Sequence, residues 1–338
     1  MKKNCLITRL SVFSCWSLLC LSVTSASTFA QAPTPANYPN YPNKPVKLVI
    51  GFAPGGAADY VARNISDAMG KALGQPIIVE NKAGAGSSIA AEAVSKAAPD
   101  GYTVLIASPS SISVNPALNA KLGYAPKDLF PVTKITTSPL VIAVNPNAGI
   151  NNLNELVAKA KKAPGTINYA TSGNGSAPHL GAALFAQIAN IEMTHIPFRG
   201  GAPAIQSVVA GDTQLTFGTP PSVLPMIQAG RLKGLGVSTK ERSALVPGMP
   251  GSVEAGFPDY AIEFWYGVFL PNGTPPAVVK KIFDAAQFAM SQPSVKAALA
   301  REGTEVEVSK SPEQFASFLN EDSKFWVKLV KSAGVKLD

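Results

Sequence analysis

The stretch Lys44 to Asp59 constrains this chain more than any other: an apolar segment, Pro45 to Phe52, runs into Pro54-Gly55-Gly56 and then into a helix opening near Asp59. A strand that meets a glycine turn and a helix leaves backbone N–H groups pointing out of the turn, backed by the positive end of the helix dipole. Two readings fit the turn itself, an anion cradle or a plain tight connection. Asp59, beside Ala58 in the first helical turn, either touches a ligand or caps the helix and complements its dipole, and the second use is the commoner one.

The unit then repeats. Val61, Ile65, Ala68, Met69 and Ala72 share one helical face, Gly74 and Pro76 stop that helix, and Ile77 to Val79 make a short strand. An Ala-rich helix over Ile89 to Ala97 and a strand over Thr103 to Ala107 follow, ending in Ser108-Pro109-Ser110-Ser111. This β-α-β-α-β order belongs to a parallel, doubly wound sheet. A second round has strands at Leu140 to Val144, Ile167 to Ala170, Met193 to Phe198, Leu215 to Phe217 and Gly234 to Val237. Its helices are expected at Leu153 to Lys161, Ala177 to Asn190 and Ile205 to Val209, with further helices at Pro276 to Gln292 and Pro312 to Ser332. Strand-like crossings near Leu140 to Asn145 and Glu263 to Leu270 divide the chain into two α/β lobes, 44–142 with 265–338 and 143–264, each a mostly parallel sheet flanked by helices. In such sheets a ligand sits beyond the carboxyl ends of the strands, here in the cleft between lobes.

The N-terminus has the organisation of an export signal: Lys2, Lys3 and Arg9, a short apolar core from Leu10 to Leu21, then Ala30-Gln31-Ala32. The core falls short of the roughly 20 apolar residues that span a bilayer. Cleavage is expected near Ala32, which places the mature protein in a periplasm. All three cysteines, Cys5, Cys15 and Cys20, leave with that segment, so no disulfide or thiolate metal site is expected. Its three positive charges leave too, taking the net charge from +8 to +5. That balance helps to draw in small anions, and no basic run suits nucleic acid. Pro33 to Asn43 reads as a tether.

Several polar positions join the first turn as candidates. Thr171-Ser172-Gly173-Asn174-Gly175-Ser176 is a second strand-to-helix turn, either a connector with Ser176 as N-cap or an opposing nest of N–H groups and hydroxyls. His179 is a hydrogen-bonding wall residue or a structural one, and with two histidines in the chain a metal site is not expected; His195, inside an apolar strand, reads as core. Phe198-Arg199-Gly200-Gly201 offers a guanidinium that pairs bidentately with a carboxylate or lies on the surface. Ser108 and Ser110 contribute hydroxyls to the cleft or to an ordinary turn, and Thr219 follows the strand Leu215 to Phe217 on the second lobe. No Gly-x-Ser-x-Gly elbow, His-Glu-x-x-His pair or Walker loop occurs. Gly84-Ala85-Gly86 lacks the third glycine of a dinucleotide fingerprint, so no cofactor is expected and the chain reads as a binder.

Across nearly the whole mature chain the motifs resemble those of the solute-binding receptors of tripartite tricarboxylate transporters, the Bug family of periplasmic proteins. The matching segments are Lys44-Pro45-Val46 leading to Phe52-Ala53-Pro54-Gly55-Gly56 with Asp59, Val79-Glu80-Asn81-Lys82, Pro99-Asp100-Gly101-Tyr102-Thr103 and Gly173-Asn174-Gly175-Ser176 with His179. Ala229-Gly230-Arg231-Leu232 and Trp265-Tyr266-Gly267 with Gly273-Thr274-Pro275 complete the set. The resemblance implies a two-lobed clamshell closing on a small di-, tri- or aromatic carboxylate, with Pro54 to Gly56 holding one carboxylate through N–H groups and Thr171 to Ser176 serving it from the other lobe. It also implies delivery to inner-membrane permease subunits by a monomeric receptor. The family often has Tyr-Lys-Gly where this chain has Phe198-Arg199-Gly200, which suggests a ligand with a second carboxylate. A sensory receptor, and more remotely a periplasmic hydrolase, are the alternative functions.

Overall fold

The computed structural model describes residues 40–119 and 121–332; the expected export segment and its cleavage site lie outside them. The first lobe opens with β1 (Val46–Ile50), α1 (Ala57–Leu73), β2 (Ile77–Asn81), α2 (Ser88–Ser95), β3 (Thr103–Ala107), the short α3 (Asn115–Leu118) and β4 (Leu129–Pro139). The second lobe comprises β5 (Val141–Val144), α4 (Leu153–Lys162), β6 (Asn168–Thr171), α5 (Ala177–Ala189), β7 (Thr194–Pro197), α6 (Gly201–Ala210), β8 (Leu215–Gly218), α7 (Pro220–Gln228) and β9 (Lys233–Val237). The chain then returns through β10 (Glu263–Pro271), α8 (Pro276–Ser291), α9 (Pro293–Arg301), β11 (Glu305–Val306) and α10 (Pro312–Ser332).

The first sheet has the order β11-β4-β10-β3-β1-β2 and the second β7-β6-β8-β5-β9. β1 pairs in parallel with β2 and β3, and β6 in parallel with β7 and β8. β10 lies antiparallel between β3 and β4, and β5 antiparallel between β8 and β9. Most strands of each sheet therefore point one way, and the reversed interior strand in each is the one by which the chain enters from the other lobe. Side chains alternate accordingly: Leu48 and Ile50 join the core under α1, while Val49 faces the cluster under α2. In the second sheet Ile142 and Val144 pack on the α5 side, Val141 and Ala143 under α6 and α7.

The sheet changes at Leu140, one residue after β4 ends, and again between Val237 and Glu263. The expected divisions at 142/143 and 264/265 fall inside β5 and β10, because apolar residues run from Leu140 unbroken through β5 and leave no mark at the crossing. Ser238, fully buried, stitches the two crossings together. Its N–H donates to Leu140 O at 2.9 Å, its hydroxyl accepts from Leu140 N–H at 2.7 Å, and that hydroxyl donates to Ile262 O. The end of the expected tether is also docked: Tyr41 is buried, and its hydroxyl donates to Gly101 O at 2.7 Å.

Candidate functional site

The turn before α1 is shaped by Gly55, whose φ of +78° suits only glycine, and by Gly56, the N-cap, which has no side chain to cap the helix. Asp59 does that work from inside the helix. Its carboxylate, 5 % exposed, accepts from Gly55 N–H at 3.0 Å, Arg63 Nε at 2.8 Å and Asn81 Nδ2 at 3.1 Å. Burial pushes its pKa up, but the bonds from Arg63, Gly55 and Asn81 outweigh it and hold the carboxyl below its ordinary range. The N–H groups of Gly56, Ala57 and Ala58 have no intrahelical acceptor by geometry, and these three residues line the cavity between the lobes.

The second lobe presents matching ends. α6 starts at Gly201, capped by Gly200 without a side-chain bond and with no acid in its first turn. Gly201 and Ala204 line the same cavity, so α1 and α6 bring their positive ends together across it. Thr219, the N-cap of α7, and Ser222 add hydroxyls, as do Thr171, Ser172 and Thr216. The lining contains no charged side chain. Ser110 enters from the first lobe on a wide turn, in which Asn115 N–H reaches back to Ser110 O; its hydroxyl is fully buried and unpartnered. Phe264 and Tyr266 on β10 close the wall, their rings edge to face at 4.8 Å. Burial raises the Tyr266 phenol, which stays protonated and able to donate.

The lobes touch at this end of the cleft. Ala53 N–H donates to Arg199 O at 3.1 Å, and a Cβ added at Gly200 would lie 2.9 Å from Ala53 N. About 20 Å³ of the cavity is open to the centre of a water molecule, room for one or two waters or a carboxylate. Phe52 and Ser172 form a wall shared with a second chamber of about 200 Å³, lined by Gly84 to Ser87 on one lobe and by Gly173, Asn174, Phe198 and Arg199 on the other.

Comparison with known proteins resolves which family builds such a site. A model of the tripartite tricarboxylate transporter family receptor matches residues 61–335. The chain belongs to this receptor family. Over 323 residues it is 31 % identical to the protein BugT of Bordetella pertussis, covering 95 % of this chain and 98 % of that one. Among solved structures it superposes on MatC of Rhodopseudomonas palustris, which has malate bound, with TM-score 0.82 and 32 % identity over 86 % of this chain and 100 % of the other. A second R. palustris protein, solved with adipate, gives TM-score 0.84 at 30 % identity over 88 % and 99 % of the two chains.

Within this receptor fold the expected site residues separate into three groups. Phe52, Gly56, Ala58, Ser110, Thr171, Ser172 and Thr219 line the main cavity. Gly173, Asn174, Phe198 and Arg199 line the second chamber instead. Pro54, Gly55, Asp59, Ser108, Ser176, His179 and Gly200 line neither; Asp59, Ser176 and His179 bond within the turns, while the Ser108 hydroxyl is buried without a partner. The free N–H groups beside the cavity thus begin at Gly56, since Pro54 has no N–H and that of Gly55 is held by Asp59. Ser176 caps α5 by accepting His179 N–H at 3.3 Å. His179 lies behind the loop, its Nδ1 accepting Gly175 N–H at 3.2 Å and its ring stacked on His195 at 3.8 Å. His195 in turn meets Thr171 Oγ1 at 2.6 Å, so the pair braces the second loop from beneath. Burial, then the neighbouring His179, push the His195 pKa down to about 3 and keep it neutral. Sequence reasoning did not single out Ala57, Ala204, Thr216, Ser222, Phe264 or Tyr266 among the lining; the period-2 alternation of β10, with Trp265 facing away, was the available signal for Tyr266.

Proposed function

We propose that this protein is a periplasmic receptor that closes its two lobes on a small organic carboxylate and passes it to a tripartite membrane permease, acting as a monomer without covalent chemistry. One observation carries the reading. Two helices, α1 and α6, bring backbone N–H groups without intrahelical acceptors, those of Gly56 to Ala58 and of Gly201, from opposite lobes to one cavity whose walls hold no charged side chain. The α6 end keeps about half a positive charge while Asp59 offsets that of α1, so closure gathers unpaired N–H donors that an anion between them satisfies. The ligand then favours closure through contacts that exist only when both lobes meet. Malate and adipate, bound by two members of the same fold, support the choice of carboxylate over other anions.

A thermal-shift screen of carboxylates tests this. A ligand at about 100 times its Kd stabilises the fold by roughly 2.7 kcal/mol. The reading expects organic acids to raise Tm and neutral sugars to leave it unchanged; the reverse pattern would overturn it.

A further inference from the structure

The strand by which the chain returns to the first lobe has two faces. Phe264 and Tyr266 close the ligand cavity, while Trp265 between them points into a separate cavity of about 540 Å³ on the outer side of the hinge. Ser238 and Ile262, hydrogen-bonded across the hinge, line it too. One wall is α10 of the first lobe, through Phe318, Asp322 and Phe325. The other is Thr239 to Glu241, which the second lobe holds: Ser252 N–H donates to Thr239 O at 2.8 Å and Val253 N–H to Lys240 O at 3.2 Å. The two walls therefore move with different lobes. A rotation that brings the lobes together on the ligand side draws these walls apart, and opening presses them together.

Asp322 is the buried acid that this motion reaches. Its oxygens accept Trp265 Nε1–H at 2.9 Å and Trp326 Nε1–H at 3.1 Å. Burial raises the carboxyl to about 6, against those two bonds and the charge of Lys134. Lys134, on β4, is itself paired with Glu307 at 2.6 Å and lies over the Phe318 ring. Lys240, Glu241 and Glu263 stand exposed around the same cavity, and on α10 Glu321 pairs with Lys324. When the outer walls approach, Lys240 and Glu241 arrive together with opposing charges, so loss of water is the change Asp322 feels. The lobes touch in this structure through Ala53 and Arg199, which makes it the arrangement with the outer cavity widened.

We propose that Asp322 is a proton site on the back of the hinge, coupled to lobe closure: opening packs Thr239 to Glu241 over its carboxyl and tightens its hold on a proton, and capture of a ligand releases that proton. The proposal rests on the receptor reading above and adds a regulatory input to it. Linkage makes the effect reciprocal. Protons favour the open, unloaded receptor, and affinity for the captured acid rises with pH across the Asp322 titration.

Trp265 and Trp326 are the tryptophans among the described residues, and both bond to Asp322, so tryptophan emission reports this site directly. Emission of the exported protein is followed from pH 4.5 to pH 8, free and with saturating malate or adipate, in wild type and in Asp322→Asn. A bound acid should lower the wild-type midpoint by about 0.5 pH, equivalent to roughly threefold tighter binding above the transition than below it. Asp322→Asn should lose the transition and this share of the pH dependence of affinity, whereas the ligand's own ionisation persists in both proteins. A midpoint that stays put or rises when an acid binds overturns the coupling and leaves the receptor reading standing. So does the absence of a transition in wild type, or the same transition in Asp322→Asn. Failure of every organic acid in the thermal-shift screen to bind overturns the receptor reading and the coupling with it.

Discussion

Gly200→Ala separates what holds the lobe together from what holds the lobes to each other. At φ +155° and ψ 173° the residue occupies a region that is essentially glycine-only. A side chain there costs about 1–3 kcal/mol in the open and the closed form alike. The new Cβ also meets Ala53 N at 2.9 Å and Ala53 Cβ at 3.1 Å, but only when the lobes are together. A backbone atom cannot rotate away, so the lobes must part by a few tenths of an ångström and stretch the Ala53 N–H bond to Arg199 O. Loss of that bond amounts to about 0.5–1.5 kcal/mol of closed-state stability. Affinity for adipate should fall roughly two- to tenfold, alongside a lower Tm. Gly74→Ala is the matched control: Gly74 also has positive φ, at +71°, but no atom lies within 4 Å of its Cβ position, and it ends the 17-residue helix whose other end faces the cleft. It should lower Tm without changing affinity. Calorimetry and thermal melts on both variants decide the matter. Unchanged affinity in Gly200→Ala, or an equal loss in Gly74→Ala, would refute the argument.

Asp322 accepts both Trp265 Nε1 and Trp326 Nε1, and burial, only partly offset by those bonds and by Lys134, pushes its pKa up to about 6. The folded state therefore keeps a proton that the unfolded chain releases above about pH 4, so this contribution is present below that pH and is lost as pH rises through 6; relative to wild type, Asp322→Asn should gain up to ~3 kcal/mol between pH 4 and pH 7 in urea melts, and parallel curves would contradict this. His195 acts in the opposite sense: held neutral down to about 3, it contributes stability above about pH 6.5 that is lost at ~1.4 kcal/mol per unit as pH falls towards 3. His195→Gln should remove this acid sensitivity, which Asp322→Asn should unmask. Ser238→Ala leaves Leu140 N–H and Ile262 O without the hydroxyl that joins the two crossings. It should cost about 1–3 kcal/mol of stability and alter the rate of lobe closure in stopped-flow fluorescence, with no change in either measurement as the refuting result.

Elements with a clean period were legible in the chain. Val61, Ile65 and Met69 announced α1, and every strand of the β1-α1-β2-α2-β3 run lay where alternation and glycine stops put it. β4 escaped because Thr133, Thr136 and Ser138 are buried polar residues, which break the alternation of apolar and solvent-facing positions that marks a strand. α7 escaped because Pro220, Pro221 and Pro225 read as a loop; prolines at the helix start are tolerated where no N–H is needed. At the site, the turns were legible from Gly55, Gly56, Gly173 and Ser176, since glycine and cap residues have local meaning. Which of their neighbours face the ligand was not, because that depends on how two lobes meet. Tyr266 becomes part of a cavity wall only through that meeting.

The account turns on a carboxylate held between opposed helix ends. Titrating malate and adipate against their neutral diamides by calorimetry, at one pH and ionic strength, measures this most directly. Saturable one-site binding of an acid, with none for the diamides, is the predicted result. Diamides that bind as tightly as the acids would contradict it.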